Sequence, residues 1–268
     1  MNYAYVMVNT EGNAETSGYD IQAVSRAAQI CALFGPNTVE VTPAEVAAKL
    51  NLNRTTAYRY CVALVAAGML ERSPRRGAFV LGGLMLQLGI HALSRRPVVQ
   101  IAPPYLAELS GAVRMTAVLS LWAVDGPVAT LVEEDSNQTI IVTVRPGSLL
   151  EITAAQTHVF LAYLKDPHAV GTTAAGLPAA QRSELDAAIY NARRHGYSIA
   201  HHSGGLFGIA VPVFDEYGIA ATVALLGADP AADLSPGSPI LTQLRGTAAA
   251  LSEELGGGQK GQQIADLR

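Results

Sequence analysis

Between residues 42 and 82 the chain packs helix starts, stops and turns so closely that no single long element can hold them. Thr42 is a hydroxyl in N-cap position, with Pro43 in the first turn and Glu45 three residues on. That capping-box arrangement begins a helix running to about Leu50. After the short connection Asn51-Leu52-Asn53, Asn53 caps a second helix over Arg54 to Ala67, in which Ala57, Cys61, Leu64 and Val65 form one apolar stripe. Gly68 supplies its stop. Met69 to Arg72 and Ala78 to Leu81 then read as two short strands joined by Ser73-Pro74-Arg75-Arg76-Gly77. A further helix precedes the pattern over Ile21 to Phe34, with Ile21, Val24, Ala28 and Cys31 on one face and Gly35-Pro36-Asn37 ending it.

Helix, tight turn, capped basic helix and basic-tipped hairpin together predict a winged helix-turn-helix. The second helix opens Arg54-Thr55-Thr56-Ala57-Tyr58-Arg59, so its outward face carries guanidiniums, hydroxyls and a phenol able to reach phosphate oxygens and base edges. Arg54, Thr55, Thr56, Tyr58 and Arg59 are therefore candidate DNA contacts, joined by Thr42 at the preceding helix start and by Arg75 and Arg76 at the wing tip. Taken singly, each of these arginines would read as part of a solvated face; their joint placement favours double-stranded DNA. Charge is distributed to match. Residues 20–82 hold seven Lys or Arg against four Asp or Glu, whereas residues 83–268 hold eleven against sixteen, within a chain whose net charge is −4. An overall acidic chain argues against nonspecific, chromatin-like binding.

Gly82-Gly83 leads into a helical pattern ending at Ser94-Arg95-Arg96-Pro97, which reads as a linker helix; Pro103 and Pro104 interrupt the next helical stretch and suit a new start. Beyond it, Ala117 to Val124 and Val128 to Glu133 form a hairpin about Asp125-Gly126-Pro127, and Thr139 to Val144 adds a third strand. Helices follow over Thr153 to Lys165 and Pro178 to His195. Gly208 to Phe214 and Ile219 to Leu226 flank a second turn, and Pro239 to Leu255 closes the domain as a helix. The expected fold is α+β with a largely antiparallel C-terminal sheet. Its expected parts are a flexible arm over 1–19, the winged domain over 20–82, the linker helix over 83–96, a second domain over 97–255 and a disordered tail over 256–268. Cys31 and Cys61 fall on apolar helical faces, which predicts buried free thiols and a reducing, cytoplasmic compartment. No run reaches the roughly 18 apolar residues of a membrane helix, and Met1 to Val8 lacks the basic start and cleavage site of a signal peptide.

Several motifs make the chain resemble the IclR (isocitrate-lyase regulator) family over about Ile21 to Leu255. They are Val24-Ser25-Arg26-Ala27, Leu52 to Arg59, Phe79-Val80-Leu81-Gly82, and Ala210-Val211-Pro212-Val213-Phe214-Asp215 before Gly218. The resemblance implies a linker helix, a GAF-like effector-binding domain, a homodimer or dimer of dimers, and a palindromic operator whose occupancy, most simply as a repressor's, responds to a small-molecule effector. In the family that effector is typically a small organic or aromatic acid, held between the sheet and the helix after the glycine matching Gly147.

Here the match departs from the family. Glu151 to Val159 replaces the usual histidine, glycine and lysine; Gly208 stands where some members have cysteine, and Ala224 and Leu226 where they have serines. A buried carboxylate needs donors or a countercharge. The departures therefore point to a less polar effector, aromatic or alicyclic, lined by Leu119, Thr153, Ile209, Ala224 and Leu226, or else to a vestigial site in which these are core residues. Neither a cofactor nor a metal is expected: His195, His201 and His202 lack a completing ligand set, and Gly204 to Gly208 precedes a strand rather than opening a helix. Glu133-Glu134-Asp135 reads as a solvated turn. The rival reading is a small-molecule-binding or hydrolytic domain that uses its helix-turn-helix only to dimerise. It requires a reactive pair in the C-terminal half, and Ser203 beside His202 lacks a third group, so no enzyme is expected.

Overall fold

The computed structural model describes residues 21–135 and 141–258. It forms two compact units dividing between Gly89 and Ile90. The expected N-terminal arm lies outside the described residues.

The first unit contains α1 (Gln22–Cys31), α2 (Pro43–Leu50), α3 (Arg54–Ala66), β1 (Leu70–Arg72) and β2 (Phe79–Leu81). α1 ends earlier than its periodicity suggests, because the Leu33 and Phe34 amides turn back to the Ile30 and Cys31 carbonyls in tighter i→i−3 bonds. Its Arg26 donates to the Leu50 carbonyl at 3.4 Å, tying α1 to the end of α2. At the start of α2 both halves of the capping box form: the Thr42 hydroxyl accepts from the Glu45 amide at 3.3 Å, and the Glu45 carboxylate accepts from the Thr42 amide at 2.7 Å. Ile30, Leu33, Val41, Val46, Ala57, Cys61, Leu64, Leu70 and Phe79 close a single core. Cys61 is buried and Cys31 partly so, both as free thiols.

The hairpin carries a third partner that sequence reading did not foresee. Val41, just before α2, exchanges backbone hydrogen bonds with Phe79 at 2.9 and 2.8 Å, so the wing is tied to the helix-turn-helix by main chain as well as by its core side chains. At its far end, the Glu71 carboxylate accepts the Gly83 amide at 2.8 Å and so caps α4 (Gly83–Ser94), the helix in which the two units meet in sequence.

The second unit contains α5 (Pro97–Val113), β3 (Thr116–Trp122), β4 (Pro127–Glu133), α6 (Ala155–Tyr163), α7 (Pro167–Thr173), α8 (Ala179–His195), β5 (Ser198–His201), β6 (Phe207–Phe214), β7 (Ile219–Gly227) and α9 (Pro239–Glu254). Its five strands run in the order β4-β3-β7-β6-β5, every pair antiparallel. Strand alternation divides the interior into two layers. Leu119, Leu121, Ile209, Val211, Val223 and Leu225 face α5 and α9. Ala200, Ala210 and Ala224 face α6 and α8, and alanine on the sheet lets α6 lie close to it.

Four expectations are corrected. Pro103 and Pro104 lie inside α5 instead of starting a helix: both are exposed, and Val98, Ala102, Leu106 and Leu109 bury the opposite stripe, which holds the helix together despite two missing amides. Ile141 to Val144 form no strand, because the outer edge of β4 is occupied by residues 147–150 through Gly147 to Ala129, Ala129 to Ser148 and Leu150 to Pro127 bonds; Thr139 is outside the described residues. Asp135 is not a solvated turn residue but is buried against Arg114 at 3.5 Å. Gly256 and Gly257 belong to the fold, bridging Asp215 and bonding to the Ser252 carbonyl; the rest of the expected tail, beyond Gly258, is outside the described residues. α7 and β5 were not foreseen. No helix among the described residues is long and apolar enough to cross a membrane.

Gly82 marks the tightest point of the first unit. A Cβ there would lie 2.4 Å from the Gly68 carbonyl oxygen and 2.9 Å from the Leu70 carbonyl, all backbone atoms that cannot rotate away. Gly82→Ala is expected to destabilise the unit by about 1–3 kcal/mol or more in urea unfolding, the usual cost of overpacking. Gly83→Ala, whose Cβ would meet only the Glu71 carboxylate at 3.5 Å, serves as the mild control. Equal stability of the two variants would contradict this packing.

Candidate nucleic-acid interface and effector face

α3 owes its orientation to two local devices. Asn51 ends α2 in the left-handed conformation, φ 53°, and the Asn53 side chain accepts the Thr56 amide at 2.7 Å to begin α3. Ala57, Cys61 and Leu64 then bury one stripe. With 3.6 residues per turn, Arg54, Thr55, Tyr58 and Arg59 are left together on the opposite, exposed face, Tyr58 at 48 % exposure. Thr56 falls to the side of that face and is half-buried. The Thr42 hydroxyl accepts from the Glu45 amide and donates to the Glu45 carboxylate at 2.8 Å, so in this structure it serves the cap, beside a negative charge. The hydrogen bond to Thr42 holds that carboxyl below its ordinary range.

At the wing, Gly77 takes φ 80° and turns the chain so that Arg75 and Arg76 are exposed at the tip. Glu40 organises this turn. It accepts from the Ser73 hydroxyl at 2.6 Å and lies 3.8 Å from the Arg75 guanidinium, which is 66 % exposed and only loosely held. Arg72, which sequence reading passed over, lies with its guanidinium 5.7 Å from the Phe79 ring centroid at the base of the same hairpin.

The sheet face beneath α6 is more polar than expected. Gln156 donates from Nε2 to the Val118 carbonyl at 3.3 Å and the Thr222 hydroxyl at 3.1 Å. His158 Nδ1 and the Ser198 hydroxyl share a hydrogen bond of 3.0 Å. The Ser120 hydroxyl, opposite Thr222 in the sheet, is fully buried and without a partner. Trp122 and Phe160 add an aromatic pair with centroids 5.5 Å apart. Burial pushes His158 below its ordinary value, opposed by a hydrogen bond with the Ile152 backbone, so the ring is neutral near pH 7. No Lys or Arg is buried here or elsewhere among the described residues.

Comparison with known proteins bears on both regions. Residues 23–74 match the IclR helix-turn-helix domain, the segment that holds α1, α2, α3 and the start of the wing. Along nearly the whole chain, 26 % of 248 aligned residues are identical to the HTH-type transcriptional regulator XynR of Escherichia coli, covering 88 % of this chain and 98 % of that protein. The chain thus carries an IclR-type helix-turn-helix and is similar along nearly its whole length to a transcriptional regulator. Its fold is also that of solved IclR structures. One from Silicibacter sp. TM1040 matches with TM-score 0.77 at 23 % identity, over 88 % of this chain and 96 % of that one. An IclR homologue from Microbacterium hydrocarbonoxydans, crystallised with 4-hydroxybenzoate, matches with TM-score 0.70 at 20 % identity, over 87 % and 98 %.

The structure departs from the expected effector lining. Leu119 and Ile209 are fully buried on the α5 and α9 face of the sheet, the wrong side for α6, because odd-numbered residues of β3 and β6 point there. Ala224 is on the α6 face, Leu226 is half-buried further along β7, and Thr153 is exposed ahead of α6. These five do not form one site. The polar groups beneath α6 were missed, although Ser120 and Thr222 stand out as hydroxyls within apolar strands and Gln156 and His158 as the bulky residues in an aligned run of small ones.

Because His158 binds its proton less readily in the folded chain, its contribution to stability is fully present above the ordinary value of 6.5 and is lost as pH falls below it toward the lowered folded value. His158→Gln is expected to flatten the fall of Tm between pH 7 and pH 5. An unchanged pH slope would contradict the buried neutral ring.

Proposed function

We propose that this regulator binds an inverted-repeat operator as a homodimer, one α3 in the major groove of each half-site, and acts as a repressor released by a small molecule. One observation carries the reading: the exposed face of α3 combines Arg54, Thr55, Tyr58 and Arg59 on a helix whose other face is locked into the core. Arg54 and Arg59 reach base edges or phosphates, Thr55 and Thr56 meet a phosphate at the helix start, and Arg75 and Arg76 reach flanking phosphates or the minor groove. A second copy is supported by α4, which buries no residue within the chain while exposing Leu86 at 68 % and Ile90 at 60 %. A helix apolar on every side is stable when covered.

The effector belongs beneath α6. Its neutral donors and acceptors, Ser120, Thr222, Gln156 and His158, come without a buried cation, which favours an aromatic or alicyclic compound with a neutral hydrogen-bonding group over a dicarboxylate. The homologue that holds 4-hydroxybenzoate supports a ring-sized ligand in a protein of this fold. The free thiols suit a reducing cytoplasm, and the regulator's output is DNA occupancy rather than catalysis.

Arg59→Ala is expected to weaken operator binding by about 1–3 kcal/mol, roughly tenfold to a hundredfold, and to relax preference at one position of each half-site. Arg76→Ala should weaken all sequences alike and reduce the salt slope of log K by about one. Fluorescence anisotropy with operator and scrambled duplexes measures both. Arg59→Ala with wild-type affinity and preference would remove α3 from the groove. For the effector, neutral phenols should raise Tm and release DNA where dicarboxylates do not; the reverse ranking would refute the assignment.

A further inference from the structure

Gln156 bridges two strands from its place on α6. The side chain is buried, and its Nε2 donates both to the Val118 carbonyl of β3 at 3.3 Å and to the Thr222 hydroxyl of β7 at 3.1 Å. A carbonyl accepts and cannot donate, so it is the NH2 end of the amide that faces the sheet. Beside this contact the sheet is irregular. β3 and β4 change register between Leu119 and Ser120, and Pro212 of β6, opposite Thr222, has no amide hydrogen to donate. On the other side of Thr222 stands Ser120, fully buried, its hydroxyl without a partner. A buried hydroxyl left unpaired is a cost that an incoming acceptor removes. An aromatic wall adjoins: Trp122 is two residues along β3 from Ser120 on the same face, Phe160 is one helical turn beyond Gln156, and their ring centroids are 5.5 Å apart.

We propose that the Gln156 carboxamide is a tethered stand-in for the effector, and that the effector is an aromatic primary carboxamide that exchanges with it. The inference rests on the reading that places the effector beneath α6. A primary amide carried on a ring reproduces what Gln156 provides and supplies what it leaves unmet. Its NH2 donates to the Val118 carbonyl and the Thr222 hydroxyl, its oxygen accepts from Ser120, and its ring lies against Trp122 and Phe160. Gln156 is held to α6 by its stem and reaches Thr222 while leaving Ser120 unpaired; a free amide is under no such restraint. A carboxylate fails twice, because it has no N–H for the Val118 carbonyl and is buried there without a countercharge. The effector must break two ordinary hydrogen bonds of Gln156 before making its own, each worth a few-fold to about tenfold in an equilibrium constant. Gln156 therefore sets both the affinity and the chemical class of what enters.

Trp122 is the chain's only tryptophan, so its fluorescence reports on this site in the full-length protein. Wild type, Gln156→Ala and Gln156→Ser are titrated with benzamide, benzoate and toluene, with unfolding curves confirming that each variant folds. The serine keeps a hydroxyl that bonds back to its own helix and serves where alanine leaves too large a gap. Benzamide is expected to bind the variants about tenfold or more tightly than wild type, with toluene at least about tenfold weaker than benzamide and benzoate not bound. Adding Ser120→Ala to either variant should weaken benzamide about threefold to tenfold. Benzamide bound no more tightly by the variants than by wild type overturns the proposal. So does toluene binding as well as benzamide, which would make Gln156 a plug in an apolar cavity. The two readings fail separately. If phenol, followed by calorimetry, binds wild type and variants alike while benzamide gains nothing, the effector face stands and Gln156 is a core residue. If no neutral aromatic binds any of the three chains, the effector does not belong beneath α6 and both readings fall.

Discussion

Burial of Ala57, Cys61 and Leu64 decides which way α3 faces, and the rest of the DNA-binding unit follows from it. Once that stripe meets Val46, Leu70 and Phe79, the helical period has no freedom left, and Arg54, Thr55, Tyr58 and Arg59 must point away from the core. The Asn53 cap fixes where the helix starts, the left-handed Asn51 fixes the turn before it, and the Val41 to Phe79 bonds fix the wing beside it. A reading surface of this kind is rigid because its supports are short-range, backbone-anchored and apolar.

The same economy links the wing to α4. Glu71 caps the Gly83 amide, and Gly82 packs against the Gly68 and Leu70 carbonyls, so the start of α4 cannot tilt without disturbing the hairpin. α4 then leaves the first unit as an apolar helix with no buried residue. Any change of state that alters how two such helices pair would be felt at their rigidly held starts. It can be driven by an effector only if that effector binds one arrangement better than another.

Much of the first unit was legible in the sequence because its signals are local. Thr42 and Glu45, Asn53, Gly68 and Gly77 each announce a cap, stop or turn through chemistry confined to a few residues, and the elements fall within one to three residues of where those signals put them. The second unit was less legible where partners are distant in sequence. Nothing near Thr139 to Val144 shows that residues 147–150 take the edge of β4, and nothing near Pro103 shows that a continuous buried stripe keeps α5 whole. Which face of the sheet a residue occupies follows from alternation, yet which helix covers that face does not. Leu119 and Ile209 were thus assigned to the wrong layer, while Ser120, Gln156 and His158 went unread.

In the proposed function, α3 reads sequence in a paired molecule. Selection of bound duplexes from a random pool by the purified full-length chain, at fixed salt because phosphate contacts make affinity salt-dependent, tests that directly. The expected result is enrichment of an inverted repeat whose half-sites are spaced by about one or two helical turns of DNA, roughly 10–21 base pairs. Recovery of DNA with no common sequence, with and without a neutral aromatic effector, would contradict it.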